Sequence, residues 1–269
     1  MLPGVYHAPY PDTYRFDGSA DACAEASLSF ITEQIFAHLV APDEVSAIVV
    51  EPVQGEGGYV VPPPSFFRGL RDLASQHGIV LVVDEVQSGM GRTGRMFALE
   101  HFGVKADVVT IAKGIASGLP LGVTCARGEM MAWPPGAHAS TFGGNPVACA
   151  AALTTIRLLR EQFIGNAAAV GAHLMDGLRA LQEKHPLIGD VRGLGLMVGV
   201  ELVRDRRTKE RATTERAALV QAMFRRGILI LGAGRNAIRF APPLVLTRDQ
   251  ADIVLRLFDD SLSEVGRRP

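Results

Sequence analysis

Between Ile79 and Val83 the chain reads Ile-Val-Leu-Val-Val, with no polar residue among the five. A strand with one wet face alternates apolar and polar residues. This run does not alternate, so it reads as a strand buried on both faces of a parallel sheet, with Asp84 and Glu85 at its carboxyl end. A second run, Val108 to Ala112, delivers Lys113 in the same way, and a third, Val45 to Val50, ends in Glu51. In open α/β sheets ligands bind outside the carboxyl ends of the strands, so an acid and an amine at neighbouring strand ends converge on one crevice.

The chemistry that uses such a pair is that of pyridoxal phosphate. A lysine amine forms a Schiff base with the aldehyde, and a carboxylate beside the pyridine nitrogen keeps the ring protonated, so that it accepts the electrons of a substrate carbanion. Lys113 and Asp84 fit these two roles. The spacing is met equally well by an Asp84 that caps a turn and a Lys113 in solvent, because strand-end carboxylates are common in α/β proteins.

Four ordered motifs separate the two readings. They are Glu-Pro-Val-Gln-Gly-Glu-Gly-Gly at 51–58, Val-Asp-Glu-Val-Gln-Ser-Gly-Met-Gly-Arg-Thr-Gly at 83–94, Ala-Lys-Gly-Ile-Ala-Ser-Gly-Leu-Pro-Leu-Gly at 112–122 and Ser-Thr-Phe-Gly-Gly-Asn-Pro at 140–146. Together they resemble the class III aminotransferases, and most of all the 4-aminobutyrate, ornithine and acetylornithine enzymes. The resemblance runs from near Met1 to the last helix. It implies a fold type I pyridoxal-phosphate enzyme acting by transamination, with Lys113 holding the cofactor, Asp84 at the ring nitrogen, Val86 on the ring face and Gln87 at the ring hydroxyl. It also implies that Thr141 reaches the cofactor phosphate of a neighbouring subunit, and hence a homodimer with shared active sites. Glu56 would pair with Arg239, the substrate-carboxylate arginine of Ala-Ile-Arg-Phe. The family's N-terminal third, with its glycine- and serine-rich phosphate loop and ring-stacking aromatic residue, has no counterpart here. This chain alone is therefore expected to hold the cofactor weakly and to leave an apolar sheet edge uncovered.

Two other functions fit the same residues. Returning a proton to either face of one carbanion gives a racemase or epimerase, and Trp133-Pro-Pro-Gly resembles members of that kind; a non-catalytic relative lacking the N-terminal part would serve as a subunit. A formal net charge of −1 without basic runs argues against nucleic acid, because phosphate contacts need clustered Lys and Arg. The one basic cluster, 204–209, reads as a solvated loop. No apolar run approaches ~18 residues, so no membrane span is expected. Cys23, Cys125 and Cys149 form no metal pattern, and a reduced, cytoplasmic protein is the default.

The 269 residues suffice for one large or two modest domains. Residues 1–160 read as a parallel-rich open α/β sheet flanked by helices, the cofactor-binding portion, and residues 161–269 as a smaller α+β domain. The spacing of Leu28, Ile31, Ile35 and Leu39 predicts a covering helix over 22–39, with Ser19 or Asp21 as N-cap. A helix over 65–77 is expected to be capped by Ser65 and ended by Gly78. A further strand is expected over 121–126. Gly55, Gly57 and Gly58 bend a loop that lacks the Gly-Lys-Ser or Gly-Lys-Thr of a nucleotide P-loop. Asn145 and Pro146 start a helix near which a phosphate could sit, and His138 in the preceding loop reads as a rim residue. Beyond Pro146, helices are expected over 147–160 and 167–184, separated at Gly165-Asn166. Strand formers follow over 191–202, then a helix over 214–226, strands over 228–231 and 237–240, and a last helix over 248–262.

Overall fold

A computed structural model describes residues 3–266. The chain divides into two compact units. The first takes in the chain up to Pro52, Pro62–Gln87 and Leu99–Thr155; the second takes in Val53–Val61, Ser88–Ala98 and the chain from Ile156 onward.

The first unit begins with extended chain and then helix α1, Ala20–Phe30, whose N-cap is Ser19: its side-chain oxygen accepts a hydrogen bond from the Ala22 amide. A π-helical stretch, Ile31–Phe36, continues α1. The wider turn takes up more residues than an α-helical one, so the helical spacing expected from Leu28 to Leu39 is not kept as one buried face. Ile31 and Ile35 are buried, while Leu39 is exposed. Strand β1 is Ala47–Val50, helix α2 is Pro64–His77, and strands β2, β3 and β4 are Val80–Asp84, Val108–Ile111 and Val123–Ala126. They form one sheet in the order β1-β2-β3-β4. β1, β2 and β3 run parallel, whereas β4 is antiparallel to β3.

Two expectations need correction here. Ser65 does not cap α2: Pro64 opens the helix with its fixed φ, and Ser65 Oγ donates instead to Asp21 Oδ1 at 2.7 Å. Gly78 does end it, at φ +68°. The strands are also not buried on both faces. Leu81 and Val83 are fully buried, but Val80 and Val82 are only partly covered and Val49 on the edge strand β1 is 69% exposed. An apolar run records that neither face suits water; what covers each face is decided by other segments. Asp107, just before β3, fastens the sheet to α2. It accepts from the Leu81 amide and from Arg71 Nη1, both at 2.8 Å, and pairs with Arg127 at 3.2 Å. Burial pushes its carboxyl pKa up, and the Leu81 amide, Arg71 and Arg127 more than reverse this, leaving it below the ordinary value.

Helix α3, Pro146–Leu158, starts as expected, with Asn145 Oδ1 accepting from the amides of Val147 and Ala148. There is no break at Gly165-Asn166. A π-helical turn, Leu159–Phe163, leads straight into α4, Ile164–Lys184, and the Asn166 side chain donates to the carbonyls of Leu244 and Leu246.

The second unit carries an antiparallel sheet made of β5, Ile188–Leu194, β6, Met197–Asp205, β7, Glu210–Arg211, β8, Leu231–Ala233, and β9, Ala237–Phe240. The order is β5-β6-β9-β8, with β7 beside β6. β8 begins at Leu231, so the expected strand over 228–231 lies mostly before it. α4 and α5 (Thr213–Arg225) pack against this sheet, and α6 (Arg248–Val265) packs on α4 and α5 and reaches β9 through the Phe258–Phe240 ring contact. The fully buried Leu178, Leu219, Met223 and Phe258 of the helices meet Val198, Val200 and Ile238 of the strands. A capping box fixes the start of α6: Thr247 accepts from the Gln250 amide while the Gln250 side chain accepts from the Thr247 amide. Among the described residues no helix is long and apolar enough to cross a membrane.

Candidate active site

In the first unit the carboxyl ends of β1, β2 and β3 lie at one edge of the sheet because the three strands are parallel. Asp84 is the last residue of β2 and stands in register with Thr110 of β3, three residues before Lys113. Adjacent strands thus deliver the acid and the amine to the same edge. Asp84 is half-buried, and its Oδ1 accepts from the Val86 amide at 2.9 Å, which orients the carboxylate. Glu85 points the other way: it is buried, and its Oε1 accepts from the Leu99 amide at 2.8 Å. It holds the chain at Leu99. Val86 and Gln87 are half-buried next to Asp84 in sequence.

Lys113 opens a 3-10 turn, Lys113–Ala116, with its backbone at φ +46° and its side chain exposed. A non-glycine residue in the left-handed region persists only where its surroundings hold it. Here Ile115 and Ala116 are buried beneath the turn, and Ser117 Oγ lies 2.9 Å from Thr155 Oγ1 of α3. Tyr10 braces the end of β1 by donating to the carbonyls of Glu51 and Pro52 at 3.0 and 3.2 Å. Burial, and then the nearby Glu51, raise its phenol pKa well above the usual value, so it stays a neutral donor. Neither Tyr10 nor Thr155 stands out in the sequence: their partners are a backbone carbonyl and a hydroxyl, which leave no residue pattern. Thr141 is exposed, in the loop that precedes α3. His138 in the same loop is exposed and lies near the Trp133 ring, with centroids 6.0 Å apart.

The second unit brings together the other two candidates. Arg239 in the middle of β9 pairs with Glu56, Nη1 to Oε1, at 2.5 Å. The two partners differ in cover: the Arg239 side chain is 18% exposed and that of Glu56 72%. A planar guanidinium in a partly desolvated setting is suited to a carboxylate, and the carboxylate it holds in this state sits on the solvent side. Sequence reasoning did not single out Tyr59. It is buried beside Val53 and Met197, and its phenol feels Arg239 and Arg92; burial pushes its pKa up against the pull of both guanidiniums. Arg92, in the glycine-rich loop, ties that loop down by donating to the carbonyls of Leu196 and Pro242.

An amine and a carboxylate at the ends of adjacent parallel strands place this molecule among the α/β proteins with a strand-end site. The family follows from comparison. The family model described as Aminotransferase class-III matches residues 1–262, and the chain belongs to that family. It is 41% identical over 268 residues to the leucine/methionine racemase of Thermococcus litoralis, covering 98% of this chain and 60% of that protein. It is also 41% identical over 270 residues to the 4-aminobutyrate aminotransferase GabT of Escherichia coli, covering 97% of this chain and 62% of that protein. Among solved structures, the amine transaminase of an uncultivated Pseudomonas species, in its pyridoxal-phosphate-bound form, superposes with a TM-score of 0.92 at 34% identity. That match covers 99% of this chain and 63% of the other. The chain therefore spans about three fifths of the length of these relatives.

Proposed function

We propose that this chain carries the catalytic lysine of a pyridoxal-phosphate-dependent aminotransferase, which moves an amino group from an ω-amine or amino acid to a keto acid. The observation that carries the reading is the delivery of Lys113 and Asp84 to one sheet edge in a chain of the class III family. The donor set fits the cofactor: an exposed primary amine on a braced turn and, on the next strand, a half-buried carboxylate oriented by a backbone amide. Bound pyridoxal phosphate supplies an aldehyde for covalent attachment and a ring that accepts electrons from the substrate carbon. Lys113 Nζ would be the amine that holds it and, when free of it, the general base and acid that moves the substrate proton. Asp84 would hold the ring nitrogen in its protonated form, and Val86 and Gln87 would be the residues that hold the ring. Thr141 serves the phosphate of a second subunit, which makes the working form a homodimer. Arg239 binds the substrate carboxylate, and Glu56 occupies it when that carboxylate is absent.

In this reading residues 1–160 form the cofactor-binding portion and 161–269 the small domain, in a cytoplasmic enzyme. The compact division after Thr155 supports that boundary, with 53–61 lending Glu56 to the second unit. A racemase is the second reading, favoured by the identity to the leucine/methionine racemase across nearly the whole chain. Borohydride reduction in the presence of pyridoxal phosphate should label the peptide carrying Lys113; a label on any other lysine overturns the assignment. Dependence of turnover on an added keto acid then separates transfer from racemisation, which needs none.

A further inference from the structure

The loop that presents Glu56 is held from beneath by an arginine that never reaches Glu56 or Arg239. Arg192, in β5, is only 12% exposed and makes two sets of contacts. On the sheet side its Nη2 meets the buried Glu201 Oε2 at 2.7 Å and its Nη1 meets Asp190 Oδ2 at 2.9 Å. On the loop side Nη2 donates to the Gly58 carbonyl at 2.7 Å, while Nε, at 3.2 Å from each, is shared between the carbonyls of Gly58 and Tyr59. Burial pulls the guanidinium pKa down, and the two carboxylates more than compensate, so the fork stays charged.

The loop needs such a hold. Gly58 has φ +125° and Tyr59, a bulky residue, has φ +55°, which costs energy unless the surroundings impose it. The other limb is fixed where the Gly234 amide donates to the Glu56 carbonyl at 2.7 Å. Between these two points the loop lies directly on the sheet. A Cβ at Gly199, the residue in register with Arg239, would stand 2.9 Å from Tyr59 Cβ and 3.1 Å from the Gly58 oxygen.

We propose that Arg192 is a positioning residue for the Glu56–Arg239 pair: by clamping the Gly58 and Tyr59 carbonyls it fixes the loop backbone from which Glu56 reaches Arg239. The inference deepens the reading of Arg239 as a carboxylate site and rests on it. Lysine at 192 would keep a charge for Glu201 but lack the planar fork that serves both carbonyls at once.

The test is a double-mutant cycle on the full chain, with glutarate as a dicarboxylate probe and binding read by calorimetry. In the wild-type background Glu56→Gln removes the competitor of glutarate and should tighten binding about tenfold; in an Arg192→Lys background the same change should have little effect, because Glu56 is already displaced. Amide hydrogen exchange at Gly58 and Tyr59, each bonded to the Gly55 carbonyl, should speed up about tenfold in Arg192→Lys while the core of α4 and α6 is unchanged. Gly199→Ala, which crowds the loop without touching a charge, should give both effects and covers the case in which Arg192→Lys fails to fold. An equal effect of Glu56→Gln in all backgrounds, or exchange that rises evenly across the unit, overturns the proposal. If glutarate binding ignores Glu56 even in the wild-type background, the carboxylate-site reading falls, and the exchange measurement alone decides whether Arg192 holds the loop.

Discussion

The strand-end site of the first unit and the Glu56–Arg239 site of the second are built in different ways. Asp84 and Lys113 are placed by strand continuation: each ends an apolar run, and parallel pairing brings the two ends to one edge. Few side-chain bonds are needed, and Lys113 stays exposed on its turn. Glu56 and Arg239 are 183 residues apart in the chain, and their meeting depends on a loop bound by Arg192 and Gly234 and on a sheet that leaves room for it. A site placed by strand topology tolerates loose side chains at its rim, whereas a site placed by a folded-back loop needs clamps. The carboxylate of Glu56 is exposed while its backbone carbonyl is held by the Gly234 amide.

The largest expected effect breaks the first site outright. On the proposed function, in which Lys113 is both attachment point and proton carrier and Arg239 the carboxylate site, Lys113→Ala should lower transamination about 10³–10⁴-fold while glutarate binding stays near the wild-type value. Parallel rate and binding assays check this, and a loss of both properties would show that the two sites are not separately built.

The next effect concerns how the strand end is supported. Asp107→Ala leaves Arg71 without its carboxylate and the Leu81 amide without its acceptor, and should cost about 3 kcal/mol in chemical denaturation. Because the folded-state pKa of Asp107 lies below the ordinary carboxyl value, its contribution is complete above that value. It is lost as pH falls through the carboxyl range toward the lower folded-state pKa. In Asp107→Ala the decline of stability over that window should flatten, and an unchanged acid limb would remove the staple from the account.

A smaller change sharpens the second site. On the proposed function, Glu56→Gln should leave cofactor attachment at Lys113 intact and shift the ratio of kcat/KM between ω-amine donors and α-amino acids about tenfold, because Arg239 would then remain available in both half-reactions. An unaltered ratio would mean that the pair does not act as a switch. Smallest is Asn145→Ala, which removes the acceptor of the Val147 and Ala148 amides and should cost about 1 kcal/mol of stability. Its thermal midpoint should fall while the Glu56–Arg239 behaviour is untouched.

Much of this molecule was legible before folding was considered. The apolar runs closed by Asp84 and Lys113, the helix start at Asn145-Pro146 and the stop at Gly78 each depend on a few neighbouring residues and elementary backbone geometry. Strand β9 and helices α2, α5 and α6 were also placed to within a few residues, because their periodicity is local. The pairing of Glu56 with Arg239 was expected through resemblance to the class III aminotransferases, since nothing in a lone strand arginine announces a partner 183 residues away.

Other features were decided by tertiary structure alone. Whether Val49 is covered, whether Ser65 caps its helix or reaches Asp21, and whether Gly165-Asn166 breaks a helix depend on what lies opposite them. Asn166 stays helical while its side chain serves the carbonyls of Leu244 and Leu246, and Arg192 clamps two loop carbonyls, so their partners are backbone atoms that any residue could supply. Sequence determines which segments cannot face water and which backbone turns are allowed; a bond from a side chain to a distant main-chain carbonyl leaves no trace in the residue that accepts it.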